Sequence, residues 1–256
     1  MTLFDKFLRI RELGIFSIIV VFVIVAAIID PRFMTLDSWR AVFLAIPLIL
    51  VMAMGQMMVI ICRHVDISIG SILAFSAIVI GLLYIQFPGL SLWLSLIITA
   101  FVGLVMGLIN GFIVTRFNVH SIIVTLGTLS LYRGLVFIVS GGRQIDRNDI
   151  PEHVVSFSQT SFLFSIPGIL IFSAIIVVIT HLVMRHSVLG REIYATGSNP
   201  VAAHLKGINV TKVTLFCFGI CGMLAGVAGL FYASRFGYVN PGVTGVCLLY
   251  TSPSPR

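Results

Sequence analysis

The sequence predicts an all-α membrane protein, a polytopic bundle of transmembrane helices, from its apolar composition, its scarcity of charge and its long uncharged runs. Hydrophobic residues make up 59% of the 256 residues and charged residues 10%, and the mean hydropathy is +1.13. So little polar surface cannot cover a soluble globule of this length. We therefore expect the chain to be dissolved in lipid.

The uncharged runs predict about seven spans, because a helix that crosses a bilayer needs roughly 20 apolar residues. The runs are Gly14–Ile29, Ala41–Cys62, Ile67–Thr115, Phe117–Tyr132, Phe162–Met184 and Val213–Ser234. The third run is long enough for two spans that turn at Phe87-Pro88-Gly89. No small-residue cleavage site follows the first run, so we interpret it as a retained helix and not as a signal peptide.

The distribution of positive charge predicts a cytoplasmic N-terminus, since cytoplasmic loops carry an excess of Lys and Arg. In this orientation the cytoplasmic segments hold the larger group, Lys6, Arg9, Arg11, Arg63, Arg116, Arg185, Arg191, Lys206 and Lys212. The opposite side holds the smaller group, Arg32, Arg40, Arg143, Arg147 and Arg235. The loop from Arg185 to Lys212 then lies in the cytoplasm, and the loop from Gly141 to Thr160 lies outside.

Composition and motifs argue against several other kinds of protein. The net charge is +7, but the cations stand almost singly between apolar runs and form no basic patch for nucleic acid. No Ser-His-Asp, G-x-S-x-G or H-E-x-x-H pattern occurs, so we do not expect an enzyme. Cys62, Cys217 and Cys221 lie in or at the ends of spans, where thiols pack as small hydrophobic groups, and we predict no metal site.

Glycine spacing predicts close packing between two of the spans. Gly103, Gly107 and Gly111 recur at every fourth residue of one span, and Gly222 and Gly226 are spaced in the same way in another. In lipid, small residues at this spacing let two helix backbones approach closely. We therefore expect a compact bundle rather than a loose set of anchors.

A short polar segment places Arg63, His64 and Asp66 between two apolar runs. Such groups are costly at membrane depth unless they are paired or face a cavity. One interpretation is a tight interfacial turn with an ion pair between Arg63 and Asp66, in which Asp66 caps the next helix. The other is a polar lining of a transport pathway, where the amide of Gln56 suits a neutral polyol.

A second polar break follows Asn118, and the run after it carries Thr125, Thr128 and Tyr132 before it ends at Arg133. A short run of this kind is typical of an interrupted helix that lines a polar cavity. Hydroxyl groups in a helix can instead bond back to carbonyl groups of their own helix. The residues alone leave both interpretations open.

The predicted cytoplasmic loop contains the signature of a short helix. Ser198 or Asn199 can cap a helix whose first position suits Pro200. The residues from Val201 to Lys206 favour helix, and Gly207 suits a left-handed stop. From the residues alone, this element is a solvated surface helix.

Four sets of sequence strings, in this order along the chain, resemble a single family. They are Val65-Asp66-Ile67-Ser68-Ile69-Gly70-Ser71, then Ile123-Val124-Thr125-Leu126-Gly127-Thr128 with Tyr132-Arg133-Gly134, then Gly190-Arg191 with Ala195-Thr196-Gly197-Ser198-Asn199-Pro200-Val201-Ala202-Ala203, and then Leu224-Ala225-Gly226-Val227-Ala228-Gly229 with Ser234-Arg235. The likeness is to the permeases of ribose-, xylose-, rhamnose- and autoinducer-type ABC importers. It runs from near Gly14 to Gly245.

The resemblance implies a homodimeric permease subunit in the bacterial inner membrane that imports a monosaccharide or sugar-like solute. The implied partners, besides the lipid bilayer, are a second permease copy, an extracytoplasmic sugar-binding protein and a separate ABC ATPase, with no nucleic acid. The chain itself would bind no cofactor, since it has no G-x-x-x-x-G-K-[ST] loop. ATP and Mg would be bound by the partner ATPase.

The residues and the resemblance together predict two sites and no catalytic or metal-binding residue. The predicted substrate pathway comprises Gln56, Asp66, Ser68, Thr125, Thr128, Tyr132 and Arg235. The predicted coupling helix, which the resemblance implies docks into a cleft of the ATPase, is marked by Glu192, Gly197, Asn199, Pro200, Ala202, Ala203 and Gly207.

The chain departs from the family pattern in two places. Arg63-His64 stands where the family usually has two glycines. After Pro241-Gly242 the family continues with a Gly-Glu-Leu type segment and further spans, whereas residues 246–256 contain two prolines and no helical period. We therefore expect a transmembrane permease domain over residues 1–245, truncated at its C-terminal end, and a foreign tail over residues 246–256.

The alternative function is an ion-coupled secondary transporter of a small polar solute. Such a transporter should carry an intramembrane carboxylate pair or a proton relay. Asp66 is the carboxylate that the spans offer, and it lies near the end of an apolar run. A membrane scaffold or channel, a third class, would not need the structured loop helix.

Overall fold

The computed structural model describes residues 11–159, 161–163 and 166–242. In chain order its helices are α1 (Arg11–Ile29), α2 (Leu36–Phe43), α3 (Ile46–Ile61), α4 (Ile69–Gln86), α5 (Leu92–Phe117), α6 (Ser121–Ser140), α7 (Glu152–Gln159), α8 (Gly168–His186), α9 (Val188–Ser198), α10 (Pro200–Leu205) and α11 (Val210–Phe236). Pro31–Met34 and Arg147–Asp149 form short 3-10 helices, and strands β1 (Ser161–Leu163) and β2 (Ile166–Pro167) form an antiparallel hairpin. The predicted tail over residues 246–256 lies outside the described residues.

Among the described residues, six helical segments are long and apolar enough to cross a membrane. They are Leu36–Ile61, Ile69–Gln86, Leu92–Phe117, Ser121–Ser140, Gly168–His186 and Val210–Phe236. The stretch Phe16–Ile29 is also apolar but shorter. The predicted polytopic bundle of transmembrane helices is therefore confirmed.

The described residues fall into two compact units, which are divided between Ala45 and Ile46. In the described part of the first unit, α1 is followed by a 3-10 helix that the Asp30 carboxylate caps by accepting from the Arg32 amide at 2.9 Å. The Thr35 hydroxyl then caps α2. These side chains satisfy backbone N–H groups that the start of a helix leaves without partners.

Helix α11 is the central element of the second unit, and it is the most deeply buried of the six spanning segments. It packs against α3, α4 and α5. A Cβ atom added to Gly103 or Gly107 would collide with the backbone of α11, and one added to Gly222 would lie 2.7 Å from the Cα of Gly107. The predicted close packing is confirmed, and it requires glycine because no side chain fits between the two backbones.

The segment between α6 and α8 packs onto one end of this bundle. Ile145 forms an antiparallel bridge with Val239, and both N···O distances are 3.0 Å. The Ser158 hydroxyl donates to the Ser234 carbonyl at 2.8 Å. Ile145 and Val154 are buried in a cluster that includes residues of α4 and α11. The segment between α6 and α8 therefore covers the C-terminal end of α11.

Candidate translocation and coupling sites

The polar segment predicted from the sequence is the turn between α3 and α4. Helix α3 ends at Ile61, and Arg63 takes a φ of +64°, in the left-handed region. A non-glycine residue pays roughly 1–2 kcal/mol for this conformation. The turn directs the chain inwards, so that Asp66 and Ser68 are buried beneath it.

A hydrogen-bonded network extends from this turn into the bundle. The Asp66 Oδ1 atom accepts from the Ser68 amide at 2.9 Å and from the Ser68 hydroxyl at 2.7 Å. The Asn110 Nδ2 atom of α5 donates to the Ser68 hydroxyl at 2.7 Å and lies 3.5 Å from Asp66 Oδ2. The Tyr132 hydroxyl of α6 lies 3.1 Å from Asn110 Oδ1 and 3.0 Å from the Met106 carbonyl. A chain of hydrogen bonds between neutral side chains thus links α4, α5 and α6, and the chain ends at the Asp66 carboxylate.

Burial sets the electrostatics of the network. Asp66 is only 1% exposed, and Ser68, Asn110 and Tyr132 are buried as well. Loss of solvent raises the pKa of the Asp66 carboxyl, and the hydrogen bonds from Ser68 and Asn110 partly oppose that shift. The hydrogen bonds from these neutral groups therefore offset part of the cost of burying the Asp66 carboxyl group.

The predicted ion pair between Arg63 and Asp66 is wrong. The Arg63 side chain is exposed and its Nη2 atom donates to the Ser198 carbonyl at the end of α9, at 2.6 Å. The left-handed turn separates the two side chains, one pointing to the loop and the other into the bundle. The capping position of α4 is Ser68 and not Asp66. Asp66 supports the start of this helix by accepting a hydrogen bond from the Ser68 amide.

Gln56 and Thr125 lie at the edge of the network. With its amide nitrogen towards the Asp66 carbonyl, Gln56 bonds the Asp66 carbonyl and amide, both at 3.3 Å. The Thr125 hydroxyl donates to the Ser121 carbonyl at 2.8 Å, and the Ser121 hydroxyl accepts from the Val65 amide at 3.1 Å. Gln56 therefore contacts the Asp66 backbone, and the Thr125 hydroxyl lies 3.4 Å from the carbonyl of Val65, the residue before Asp66. A role of either residue in binding a solute stays a prediction.

The run after Asn118 is a continuous helix and not an interrupted one. Helix α6 runs for 20 residues without a break, through Arg133, whose guanidinium donates to the Gly242 carbonyl at 3.1 Å. This bond accommodates the cation within the helix. The hydroxyls of Thr125 and Thr128 bond to carbonyls of their own helix. Of the two interpretations, back-bonding is the one observed.

Arg235 does not join the other predicted pathway residues. It lies in the last turn of α11, and its guanidinium carbon stands 4.7 Å from the centroid of the Phe236 ring. Asn110, conversely, was missed by the sequence reasoning although it lies at the centre of the network. Its signal was present: an amide inside an apolar span, next to Gly111, is a costly polar group that needs a buried partner.

The predicted loop helix is confirmed as α10. The Asn199 Oδ1 atom accepts from the amides of Val201 and Ala202, both at 3.1 Å, and Pro200 occupies the first position. After the helix, Gly207 has a φ of +84°, as the left-handed stop requires. The sequence did not predict α9, which begins at its own cap and leads directly into α10.

The predicted coupling residues divide between an inner and an outer face. Ala202 is exposed, whereas Ala203 is only 3% exposed and faces its own chain. Gly197 packs so closely on the Ile61 carbonyl that a Cβ atom would collide with it. Glu192 is half-buried on α9. Gly197 and Ala203 therefore seat the segment on the bundle, and the outer face is left to other side chains.

Two of the exposed side chains on that outer face are large and apolar. Val201 is 71% exposed and Leu205 is 82% exposed. Residues four positions apart lie on the same side of a helix, so the two side chains form one ridge. Arg63 and Ile61 hold the base of this segment through Ser198 and Gly197. The site therefore consists of a firmly seated short helix with exposed apolar side chains.

Comparison with known proteins identifies the family of this chain. A family model described as branched-chain amino acid transport system / permease component matches residues 40–251. The chain belongs to this family. The resemblance inferred from the four sets of strings is thereby confirmed, and the chain is a multi-pass inner-membrane protein of this family.

Similar proteins found by sequence support the same family assignment. The autoinducer 2 import system permease protein LsrC of Yersinia enterocolitica is 34% identical over 218 residues, which cover 85% of this chain and 59% of that protein. Proteins of the same name from Yersinia pseudotuberculosis and Yersinia pestis are 33% identical, over 85% of this chain and 60% of theirs. The chain thus spans 59% to 60% of the length of these relatives. No solved structure matches it.

Proposed function

We propose that this permease is the transmembrane subunit of an ATP-binding-cassette importer and forms the translocation pathway for a monosaccharide or sugar-like solute. It couples to a separate ATPase through α10. Family membership supports the transport role, and the relatives named for autoinducer 2 import support a small solute of that class. The chain contributes no catalysis, since hydrolysis of ATP belongs to the partner.

The apolar ridge of α10 is the observation that carries this proposal. A solvated surface helix gains nothing from two largely exposed apolar side chains, whereas a docking helix buries them in a groove of its partner. Val201 and Leu205 would enter the cleft of the ATPase, while the buried Ala203 keeps the helix seated on the permease. The cytoplasmic orientation predicted from the Lys and Arg distribution puts this ridge on the side where ATP is available.

Movement of α10 has a short route to the bundle interior. Ser198 and Gly197, at the end of α9, contact Arg63 and Ile61, and the Asp66 network begins three residues after Arg63. When the ATPases close on ATP, a displaced α10 would pull on this turn and thereby on α4, α5 and α6. Alternating access would then arise from repacking around the network.

The network residues would serve the solute once the bundle opens. The amide of Asn110 and the hydroxyls of Ser68 and Tyr132 supply both donors and acceptors, which a sugar hydroxyl requires. In this structure these groups bond one another and are buried. A second permease copy across the pathway and an extracytoplasmic binding protein complete the proposed importer.

An ion-coupled secondary transporter has less support. A coupling ion needs carboxylates or a proton relay that face the pathway, whereas Asp66 is enclosed by neutral donors. The two functions separate in vesicles: uptake by the proposed importer continues after ionophores collapse the proton and sodium gradients and stops when ATP is removed. The reverse pattern would favour the alternative.

Co-purification tests the coupling helix. The tagged full chain is extracted in mild detergent from membranes of its source cells, and co-purified proteins are identified by mass spectrometry. We expect an ATPase with a G-x-x-x-x-G-K-[ST] loop, and we expect Leu205→Glu to reduce its recovery several-fold, because a charge would be buried in an apolar cleft. Leu205→Met, which conserves volume and polarity, is the matched control. Equal recovery with both variants would reject α10 as the docking element.

A further inference from the structure

Three buried thiols lie close together near the base of α9. Cys62 directly follows α3, and Cys217 and Cys221 lie one turn apart on α11. The Sγ atoms of Cys62 and Cys217 are 3.5 Å apart, which is hydrogen-bonding distance for two thiols. The Sγ atom of Cys221 instead faces the side-chain amide of Gln56 at 3.6 Å. The geometry therefore selects one pair of thiols out of the three.

We propose that Cys62 and Cys217 form a reversible thiol–disulfide pair, a redox modification site at the base of α9. A disulfide bond is about 2.05 Å long, so the two sulfurs have to approach by roughly 1.5 Å. Rotation of the Cys62 side chain, which stands in the turn rather than in a helix, can supply part of that movement. The bond would join residues that are 155 positions apart in the chain.

The pair is prepared for oxidation by a two-electron oxidant such as hydrogen peroxide. The hydrogen bond from Cys217 lowers the pKa of Cys62, although burial opposes that shift. The Cys62 thiol gives up its proton, its thiolate attacks one peroxide oxygen, and the O–O bond breaks. The leaving hydroxide takes up that proton to form the first water, and Cys62 is left as a sulfenic acid. The Cys217 sulfur then attacks the Cys62 sulfur, the S–O bond breaks, and a second water forms. Two thiols lose two electrons in total, and one peroxide becomes two waters.

Closure of the bond would act on the coupling segment. Cys62 Sγ also lies 4.0 Å from the Ile193 carbonyl of α9, and the next residue, Arg63, holds the Ser198 carbonyl. A covalent link to α11 would fix the turn that α9 rests on. A thiol reductant would release it. This consequence for coupling rests on the proposed function, whereas formation of the bond does not.

Thiol counting tests formation of the bond. The sequence has four cysteines, so the full chain carrying Cys247→Ser is reconstituted in vesicles, treated with hydrogen peroxide or the membrane-permeant oxidant diamide, denatured and labelled with maleimide-polyethylene glycol. The labelled thiols should fall from three to one and return to three after reduction. In the unsubstituted chain, mass spectrometry should find peptides of Cys62 and Cys217 joined.

Matched variants identify the pair. With Cys221→Ser added, the count should fall from two to zero, whereas with Cys62→Ser or Cys217→Ser added it should stay at two. The proposal is overturned if all three thiols survive both oxidants, or if fragmentation of the joined peptides places the bond at Cys221 instead of Cys217. Because the peptide mapping uses the unsubstituted chain, its result stands even where a serine variant folds poorly. Transport assayed before and after oxidation then tests the effect on coupling separately.

Discussion

Helix α5 is buried on two sides, and the two sides are held in different ways. Towards α11 it presents Gly103 and Gly107, and the contact consists of backbone against backbone. Towards α4 and α6 it presents Asn110, which bonds Ser68 and Tyr132. The first contact depends on the absence of side chains and the second on the direction of hydrogen bonds. One helix can therefore combine a close-packed glycine seam on one side with a hydrogen-bonded polar junction on the other.

The glycine seam should show the larger response to substitution. Gly222→Ala places a Cβ atom against Gly103 and Gly107, and overpacking of this kind costs typically about 1–3 kcal/mol. Gly127→Ala is the matched control, because a Cβ atom at Gly127 meets nothing within 4 Å. Both substitutions replace a helical glycine by alanine, so the gain in helix propensity is the same and cancels in the comparison. We expect the midpoint of thermal unfolding in detergent to fall clearly for the first variant alone, and equal midpoints would contradict the seam.

The polar junction should respond to the loss of its central amide. Asn110→Ala removes one hydrogen bond from the Ser68 hydroxyl and one from the Tyr132 hydroxyl, which keep their bonds to Asp66 and to the Met106 carbonyl. The loss of two buried hydrogen bonds of about 0.5–1.5 kcal/mol each costs about 1–3 kcal/mol in total. Tyr132→Phe removes only one hydroxyl and should cost about 0.5–1.5 kcal/mol. In a double-mutant cycle, measured by unfolding in detergent mixtures, the two changes should be non-additive by about 0.5 kcal/mol or more. Strict additivity would show that the 3.1 Å contact contributes nothing.

The seam could be predicted from sequence and most of the junction could not. In lipid, glycine at every fourth residue indicates close contact between two helix backbones. Gly103, Gly107 and Gly222 were therefore sufficient to predict the seam. Asp66, Ser68 and Tyr132 were singled out as polar residues, but their partners depend on which helix faces of the folded bundle meet. The ion pair from Arg63 to Asp66 failed for this reason, since sequence proximity says nothing about the left-handed turn between them.

The loop helix shows a similar division. Its cap, first position and stop are local features, and the structure matches all of them at Asn199, Pro200 and Gly207. Which of its side chains point outward depends on how the segment sits on α3. Ala203 was therefore assigned to the partner by resemblance, whereas it is buried, and the exposed Val201 and Leu205 were not singled out.

The turn at Arg63 should give the smallest effect, and it connects the junction to the loop. At a φ of +64° a glycine is unstrained, so Arg63→Gly should be more stable than Arg63→Ala by about 1 kcal/mol. Both variants lose the bond to the Ser198 carbonyl equally. Thermal unfolding in detergent measures the difference. A more stable alanine variant would show that the turn relaxes away from the left-handed conformation.

The central claim is that α10 lies in the cytoplasm, where it can dock an ATPase, and that the segment between α6 and α8 lies on the opposite side. Site-directed labelling tests it most directly, in a full chain whose four cysteines are replaced by serine and which carries either His204→Cys or Asn148→Cys. Both positions are exposed. In intact cells, a membrane-impermeant maleimide should label the cysteine at position 148 and leave position 204 unlabelled until the membrane is permeabilised. Labelling of position 204 from outside, with position 148 protected, would contradict the proposed orientation and with it the coupling role of α10.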